Sequence, residues 1–291
     1  MPAPDSQSSR PPELGFRLPA PPLRDLITSY YTLDSGDTAT DDDLHPEWGN
    51  IRFAPRGSWH WQLLDTEPVA APRLALFGPT SRAAHITSTT GAVMIGIGLL
   101  PLGWAGLIGR PASDHADRVT ALAEIWGPDA DRIAAAVMAD PDPAAWAPLV
   151  DALLLARLDT LPAPDPRLPR AHGALVSGDI ATVEAFAAEV CVSGRTLERL
   201  CARLFGFGPK PLLRRQRFLR TLDALMHGEG QPLSKLIDAS YTDQSHFVHE
   251  FRAFMGTTPT EYLARPRVVL RRAATERRRV VGHGLQGLHT P

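Results

Sequence analysis

Two Gly-x-x-Pro stops, Gly206 to Pro209 and Gly256 to Pro259, stand 50 residues apart in this chain, and their surroundings repeat at the same offset. Leu197 matches Phe247, Cys201 matches Phe251, Leu204 matches Phe254 and Leu213 matches Leu263. Upstream, Phe186 matches Leu236 and Ala187 matches Ile237. Glycine ends a helix by adopting the left-handed conformation, and a proline soon after it opens the next helix without losing a hydrogen bond. A helical bundle with basic surfaces has no reason to duplicate stripes and stops together. Two copies of one supersecondary unit are therefore expected, and the copies constrain everything else.

Each copy follows the helix-turn-helix plan. In the first, Val183, Phe186, Ala187 and Val190 mark a short supporting helix, and Cys191 and Val192 make the turn. Ser193 stands where its hydroxyl caps the next helix. That helix buries Leu197, Leu200, Cys201 and Leu204 as an i, i+3, i+4, i+7 stripe and shows Arg195, Thr196, Arg199 and Arg203 on its other side. In the second copy Pro232, Leu233, Leu236 and Ile237 mark the support, and Asp243 takes the place of Ser193. Phe247, Phe251 and Phe254 form the stripe, with Gln244, Ser245, His246 and His249 outside it. Arginine can bond both acceptors of guanine, and glutamine can bond adenine twice, so these are candidate DNA-binding residues. Between the copies Leu212 to Met226 reads as one long helix ended by Gly228, with Arg214, Arg215, Arg217 and Arg220 on its surface.

The runs Val192-Ser-Gly-Arg-Thr-Leu-Glu-Arg-Leu, Tyr241-Thr-Asp-Gln-Ser-His-Phe and Phe254-Met-Gly-Thr-Thr-Pro-Thr-Glu-Tyr262 resemble the AraC/XylS family of transcriptional regulators. The resemblance covers residues 171–265. It implies a seven-helix DNA-binding domain, with two recognition helices entering successive major-groove segments on one face of double-stranded DNA, and RNA polymerase as a partner. Carried over by position, the base readers are Arg195, Thr196 and Arg199, then Gln244, Ser245 and His249. This chain departs from the family in having Ser240-Tyr241 where Gly-Phe is usual, and His249 where arginine is common. The loss of the glycine is expected to tighten that turn.

The front half reads differently. Ser58 to Leu63 alternates apolar and polar residues, and further apolar runs at Ile51–Phe53, Leu74–Phe77, His85–Ser88 and Val93–Leu100 are separated by Gly and Pro. That is the pattern of a small sandwich or barrel. Pro22 to Ile27 and Trp104 to Gly109 carry a fainter likeness to the sensor domains of some family members, which implies binding of a small-molecule effector, or dimerisation. After Pro111 the period changes. One helix is expected from Ser113 or Asp114 to Trp126, a second from Pro128 and a third from Pro143 to Leu158. Four prolines between Leu161 and Pro169 predict a semi-rigid linker.

The fold class expected is α+β: a mainly-β, barrel-like sensor domain at 13–111 behind a disordered lead-in at 1–12, and a helical connector at 112–158. A Pro-rich linker at 159–170, the all-α tandem helix-turn-helix domain at 171–265 and a basic, fraying tail at 266–291 complete it. Charge agrees with this division. Residues 1–158 hold 11 Lys and Arg against 19 Asp and Glu, and residues 159–291 hold 19 against 13, although the whole carries only −2. A basic half joined to an acidic half points to a polyanionic partner.

Two cysteines, Cys191 and Cys201, exclude a disulfide scaffold and a four-cysteine zinc site, and both are expected to be buried. No apolar run reaches membrane-spanning length and no secretory signal opens the chain, so a cytoplasmic protein without membrane contact is expected. Trp59, Trp61 and His85 are candidate effector-pocket residues, with Trp48 and Trp104 as further aromatics. The competing reading is a metal-dependent, cupin-like enzyme in the front half, using His45, Glu47, His60 and His85. His60-Trp61-Gln62 lacks the His-x-His pair such a site would show, so no metal, cofactor or catalytic residue is assigned.

Overall fold

A computed structural model describes residues 10–139, 142–161, 163–228, 231, 233–265 and 267–289. Strands fill the front of the chain. They are β1 (Glu13–Arg17), β2 (Ile27–Asp34), β3 (Asp41–Leu44), β4 (Asn50–Arg56), β5 (Trp59–Leu63), β6 (Val69–Ala70), β7 (Leu74–Phe77), β8 (Ala84–Ser88) and β9 (Val93–Leu99). A short turn of helix, α1 (Pro101–Gly103), runs into a π-helical stretch, Trp104–Ile108, and β10 (Val119–Ala121) follows. The strands form two antiparallel sheets, ordered β1-β2-β9-β4-β7-β10 and β3-β8-β5-β6. The expected barrel is thus corrected to two open sheets: β5 pairs with β8 and β6, and joins no strand of the larger sheet.

Tertiary pairing overrides local pattern at two places. Val119 and Leu122, expected on one face of a helix, belong to β10 and its exit: Val119 pairs with Phe77 of β7. Only α2 (Ala123–Trp126) is helical there, and Ala112–Asp114 forms a 3-10 turn. Three consecutive aspartates, poor strand formers, make β3 because the sheet is not their only partner. Asp43 meets His85 and Arg267, and Asp42 accepts a hydrogen bond from the Leu270 amide at 3.0 Å. The helices α3 (Pro128–Met138) and α4 (Pro143–Leu158) run as the sequence predicts and pack Ile133, Val137, Trp146, Val150 and Leu154 against the larger sheet.

The back half begins at Leu168, slightly before the expected boundary. Its helices are α5 (Leu168–Ser177), α6 (Val183–Glu189), α7 (Gly194–Phe205), α8 (Pro209–His227), α9 (Leu233–Leu236), α10 (Gln244–Met255) and α11 (Pro259–Ala264). The Pro-rich approach is pinned down: Asp165, with a nearly buried side chain, pairs with Arg167 at 2.7 Å and with Arg203 at 2.8 Å. Pro232 and the first nine residues lie outside the described residues. Of the rest of the lead-in, Arg10 is held by Asp34 at 2.9 Å, ahead of β1.

The segment expected to fray does not. Helix α12 (Val268–Val281) packs along β1 and β3, burying Leu270, Ala274 and Arg277. Asp42 supplies from the sheet the first-turn cap that the helix's own Arg267 does not provide. Beyond it, Leu285 and Gln286 are buried, and Gln286 donates to the Gly49 and Leu99 carbonyls. The basic residues of this segment hid an apolar stripe, because Arg277 itself sits within it.

The two halves share a core. Trp48 joins the cluster built by α5, α6 and α7, and the Arg215 guanidinium lies 3.8 Å from its ring centre. Arg215 was expected on the surface. Instead it is 1% exposed and donates to the Thr80 carbonyl at 3.2 Å. Burial pushes its pKa down to about 9, opposed only in part by the charge of Asp117, because among the described residues a ring and carbonyls hold the cation and no carboxylate pairs with it.

Candidate nucleic-acid interface

The first unit is α6, its turn and α7. Thr182 caps α6 through the Ala185 amide at 3.1 Å. The turn passes through Cys191 at φ +57°, and its thiol is exposed rather than buried as expected, whereas Cys201 is buried in the stripe. Ser193 then accepts from the Thr196 amide at 3.3 Å and caps α7. Leu197, Leu200, Cys201 and Leu204 are buried together. Gly206 closes the helix at φ +90°, and Pro209 opens α8. A Cβ on Gly206 would stand 2.7 Å from the Pro79 ring, so glycine is required there by conformation and by the neighbouring half.

The second unit repeats these devices. Asp243 caps α10 through the His246 amide at 2.7 Å, and Phe247, Phe251 and Phe254 are buried. Gly256 closes the helix at φ +70°. Pro259 opens α11 behind a Thr258–Glu261 capping box. Ser240 lies outside the left-handed region, so no glycine is needed at that point of the turn. The departure expected to tighten the turn is accommodated by Asp238, which accepts from the Ser240 amide at 3.0 Å and is itself held by Arg220 at 2.9 Å. Tyr241 is buried beneath the Arg217 guanidinium and against Phe247.

The eight candidate DNA-binding residues separate into two groups. Arg195, Arg199, Gln244, Ser245 and His249 are exposed on the N-terminal turns of α7 and α10 and make no side-chain hydrogen bond or ion pair among the described residues. The other three are engaged inside the molecule. Thr196 bonds the Ser193 hydroxyl at 3.0 Å, Arg203 pairs with Asp165, and His246 packs edge-on against Tyr241. Arg203 and His246 thus serve the scaffold, and a phosphate or base would have to compete for them.

One residue of the second unit escaped the sequence reading. Glu250, at the position equivalent to Leu200, is buried and receives Arg214 at 2.8 Å and Arg217 at 2.7 Å from α8. The signal was present: an acid at i+3 of an otherwise aromatic stripe, beside an arginine-rich helix. These bonds orient α10 on the long helix that also carries the first unit. The front half touches the far ends of both recognition helices. Pro79 lies on Gly206, and the Ala83 amide donates to the Phe254 carbonyl at 2.7 Å.

Between the two sheets lies a cavity that is partly open to solvent. Trp59 and Trp61 line it with Phe16, Phe77 and Ile86. His85 does not, since its ring is turned to Asp43 at 2.9 Å and Asp41 at 3.6 Å. Trp48 and Trp104 also lie outside the lining, in the cores. Of the residues in the competing enzyme reading, His45 bonds the Tyr262 hydroxyl at 2.5 Å and is pushed down to about 3 by burial. Among the described residues no three His, Cys, Asp or Glu side chains group as metal ligands would. No helix among them is long and apolar enough to cross a membrane.

Comparison with known proteins agrees with the duplicated unit. Residues 186–265 match a family described as a helix-turn-helix domain. No curated protein matches the sequence. Among solved structures, ToxT from Vibrio cholerae is similar over 88% of this chain and 98% of its own, at 10% identity and a TM-score of 0.45. A ToxT structure bound to (E)-4-(8-methylnaphthalen-1-yl)but-3-enoic acid gives the same coverage at 12% identity and a TM-score of 0.45. The AraC-like transcriptional activator CuxR is similar over 71% of this chain and 85% of its own, at 16% identity and a TM-score of 0.32. With its doubled cap, stripe and stop, residues 186–265 of this chain are a helix-turn-helix domain of the AraC type.

Proposed function

We propose that this chain is a sequence-specific transcription regulator that reads double-stranded DNA with α7 and α10 and is controlled by a small molecule bound in the front half. One observation carries the reading. Two capped recognition helices present unpartnered Arg195 and Arg199, and Gln244, Ser245 and His249, at the ends that a helix-turn-helix pushes into the major groove. Helix N-termini also present free amides and a partial positive charge to phosphate. Arg195 and Arg199 read guanine or grip phosphate, and Gln244 reads adenine. The cavity between the sheets, with its aromatic walls, takes the effector. RNA polymerase and a second copy of the chain are the further partners of such a regulator.

Selection of bound sequences from a random DNA pool, with full-length protein near physiological salt, tests this. The expected product is a two-part motif whose halves lie about one helical turn apart. A pool that stays random, with full-length protein and with residues 160–265 alike, would refute sequence reading.

A further inference from the structure

The loop that joins β7 to β8, residues 78–83, belongs to the front half and touches both reading units. Its Pro79 ring lies on Gly206, the stop of α7, and leaves no room there for a Cβ. The Thr80 carbonyl accepts from Arg215 of α8 at 3.2 Å. The Ala83 amide donates at 2.7 Å to the carbonyl of Phe254, in the last turn of α10, and Ala83 is buried in one cluster with Phe218 and Phe254. Leu64, just after β5, completes the contact: a Cβ on Gly256, the stop of α10, would stand 2.5 Å from it. The closing carbonyls of a helix have no partner within it, so α10 takes one of its end bonds from the other half of the molecule.

The loop is braced from behind. The Gly78 amide donates to the Arg118 carbonyl at 3.0 Å, and the Pro79 carbonyl accepts from the Asp117 amide at 2.9 Å. Asp117 Oδ1 accepts in turn from the Ser81 amide at 2.6 Å. On its other side the Thr80 amide donates to the Glu47 carbonyl at 3.0 Å, and the Thr80 hydroxyl accepts from the Glu47 amide at 2.9 Å. The steps from Pro79 to Ala83 span at most about 14 Å. The far ends of α7 and α10 are thus tied to two points of one short, braced segment. Each reader is a helix of 12 residues, so it is about 18 Å long. A tilt of about 10° around its held end moves its reading end by about 3 Å, close to the rise of one base pair.

We infer, on the reading of α7 and α10 as DNA readers, that the loop 78–83 is a gauge: it fixes the separation of the two reading ends and thereby the one spacing of half-sites that the protein accepts. Residues outside the helix-turn-helix units then determine specificity without touching DNA. The Glu250 bonds hold the body of α10 to α8 and leave its end to the loop. Gly206 has the widest conformational freedom at the joint between α7 and α8, and the Pro79 ring closes on it.

Full-length protein bound to its two selected half-sites, set at every spacing within a few base pairs of the selected one and followed by fluorescence anisotropy, tests the gauge. The parent chain should prefer one spacing over its neighbours by at least roughly tenfold. Two glycines inserted between Ser81 and Arg82 should bring that preference below roughly threefold, with the base preferences inside each half-site unchanged. Asp117→Gly should act in the same direction: it suits the backbone at φ +57° and removes the brace on Ser81. Asp117→Asn tolerates the same backbone and keeps the acceptor, so it should behave as the parent. A sharp preference retained both by the insertion and by Asp117→Gly would overturn the gauge. So would a uniform gain in affinity at every spacing, the mark of a restraint on DNA binding. Melting at the parent's temperature separates a loosened loop from a misfolded chain, and either variant that passes decides the matter. A parent chain that selects no two-part motif defeats the reading of α7 and α10, and the gauge with it. A two-part motif accepted equally at several spacings defeats the gauge alone.

Discussion

The two reading units share a plan and differ in what holds them. Unit one has an aliphatic stripe, free arginines at its reading end, and an anchor in the front half through Trp48 and Arg215. Unit two has an aromatic stripe and a neutral reading end, and its anchor to α8 is the buried Glu250 with its two arginines. Arginine has thus been placed on the outside of one unit and on the long helix α8 that holds the other. On the function proposed above, the first unit would attract phosphate strongly and read guanine, and the second would read by weaker hydrogen bonds. What sets the two apart is where the cations went, and not the backbone design.

The largest effect expected from breaking this comparison is loss of one unit at a time. Phe251→Ala should cost about 3–5 kcal/mol and Leu197→Ala about 2–5 kcal/mol, seen in chemical denaturation. Each should erase its own half of the DNA motif. If either variant erased both halves, the units would be one cooperative reader.

Next comes the pH dependence of unit one's anchor. His172 packs against Trp48 and Phe205, and burial pulls its pKa down to about 4. The unfolded chain takes up that proton near pH 6.5, so the neutral ring's contribution is complete above that value. It is lost as pH falls from about 6.5 to about 4, on the order of 3 kcal/mol in all. His172→Phe should flatten part of the fall in melting temperature over that range. His45 and His289, and to a lesser degree His115 and His283, are also pulled down by burial and add to the fall. A melting temperature independent of pH in the parent chain would contradict this.

For unit two, Glu250→Gln should cost about 1–3 kcal/mol, moderated because Arg214 is partly exposed and can turn to water. The same variant should weaken the second half of the motif more than the first. Direct readers come next. Arg199→Ala should relax one position of the first half and Gln244→Ala one position of the second, each by about 1–3 kcal/mol. Only the arginine change should also lower the salt dependence of binding, by about 0.9 in log–log slope if it grips phosphate. The smallest effect belongs to the caps: Ser193→Ala and Asp243→Ala should each cost about 1 kcal/mol by thermal melting.

Much of the second half was legible because its information is local. Caps, left-handed glycines and helix-opening prolines act within a few residues, and the 50-residue repeat gives each signal twice. Glu250 and Arg215 were harder, since a charge in a helix reads as solvated unless its partner on another element is known. The front half was legible strand by strand but not as a whole. β10 is short and forms only because β7 offers it an edge, and β3 depends on Arg267 more than 200 residues away. Helix α12 was the largest miss: its arginines suggested a tail, and the sheet edges of β1 and β3 that bury Leu270, Ala274 and Arg277 exist only after the strands are in place. The exposed candidates Arg195, Arg199, Gln244, Ser245 and His249 were identifiable by period, but the internal engagement of Arg203 and His246 was not.

Hydroxyl-radical footprinting of the full-length protein on its selected DNA site tests the central claim most directly. Tandem reading predicts two protected patches on one face of the duplex, about 10 base pairs apart, with Leu197→Ala removing one and Phe251→Ala the other. A single patch in the parent chain, or two patches on opposite faces, would contradict it.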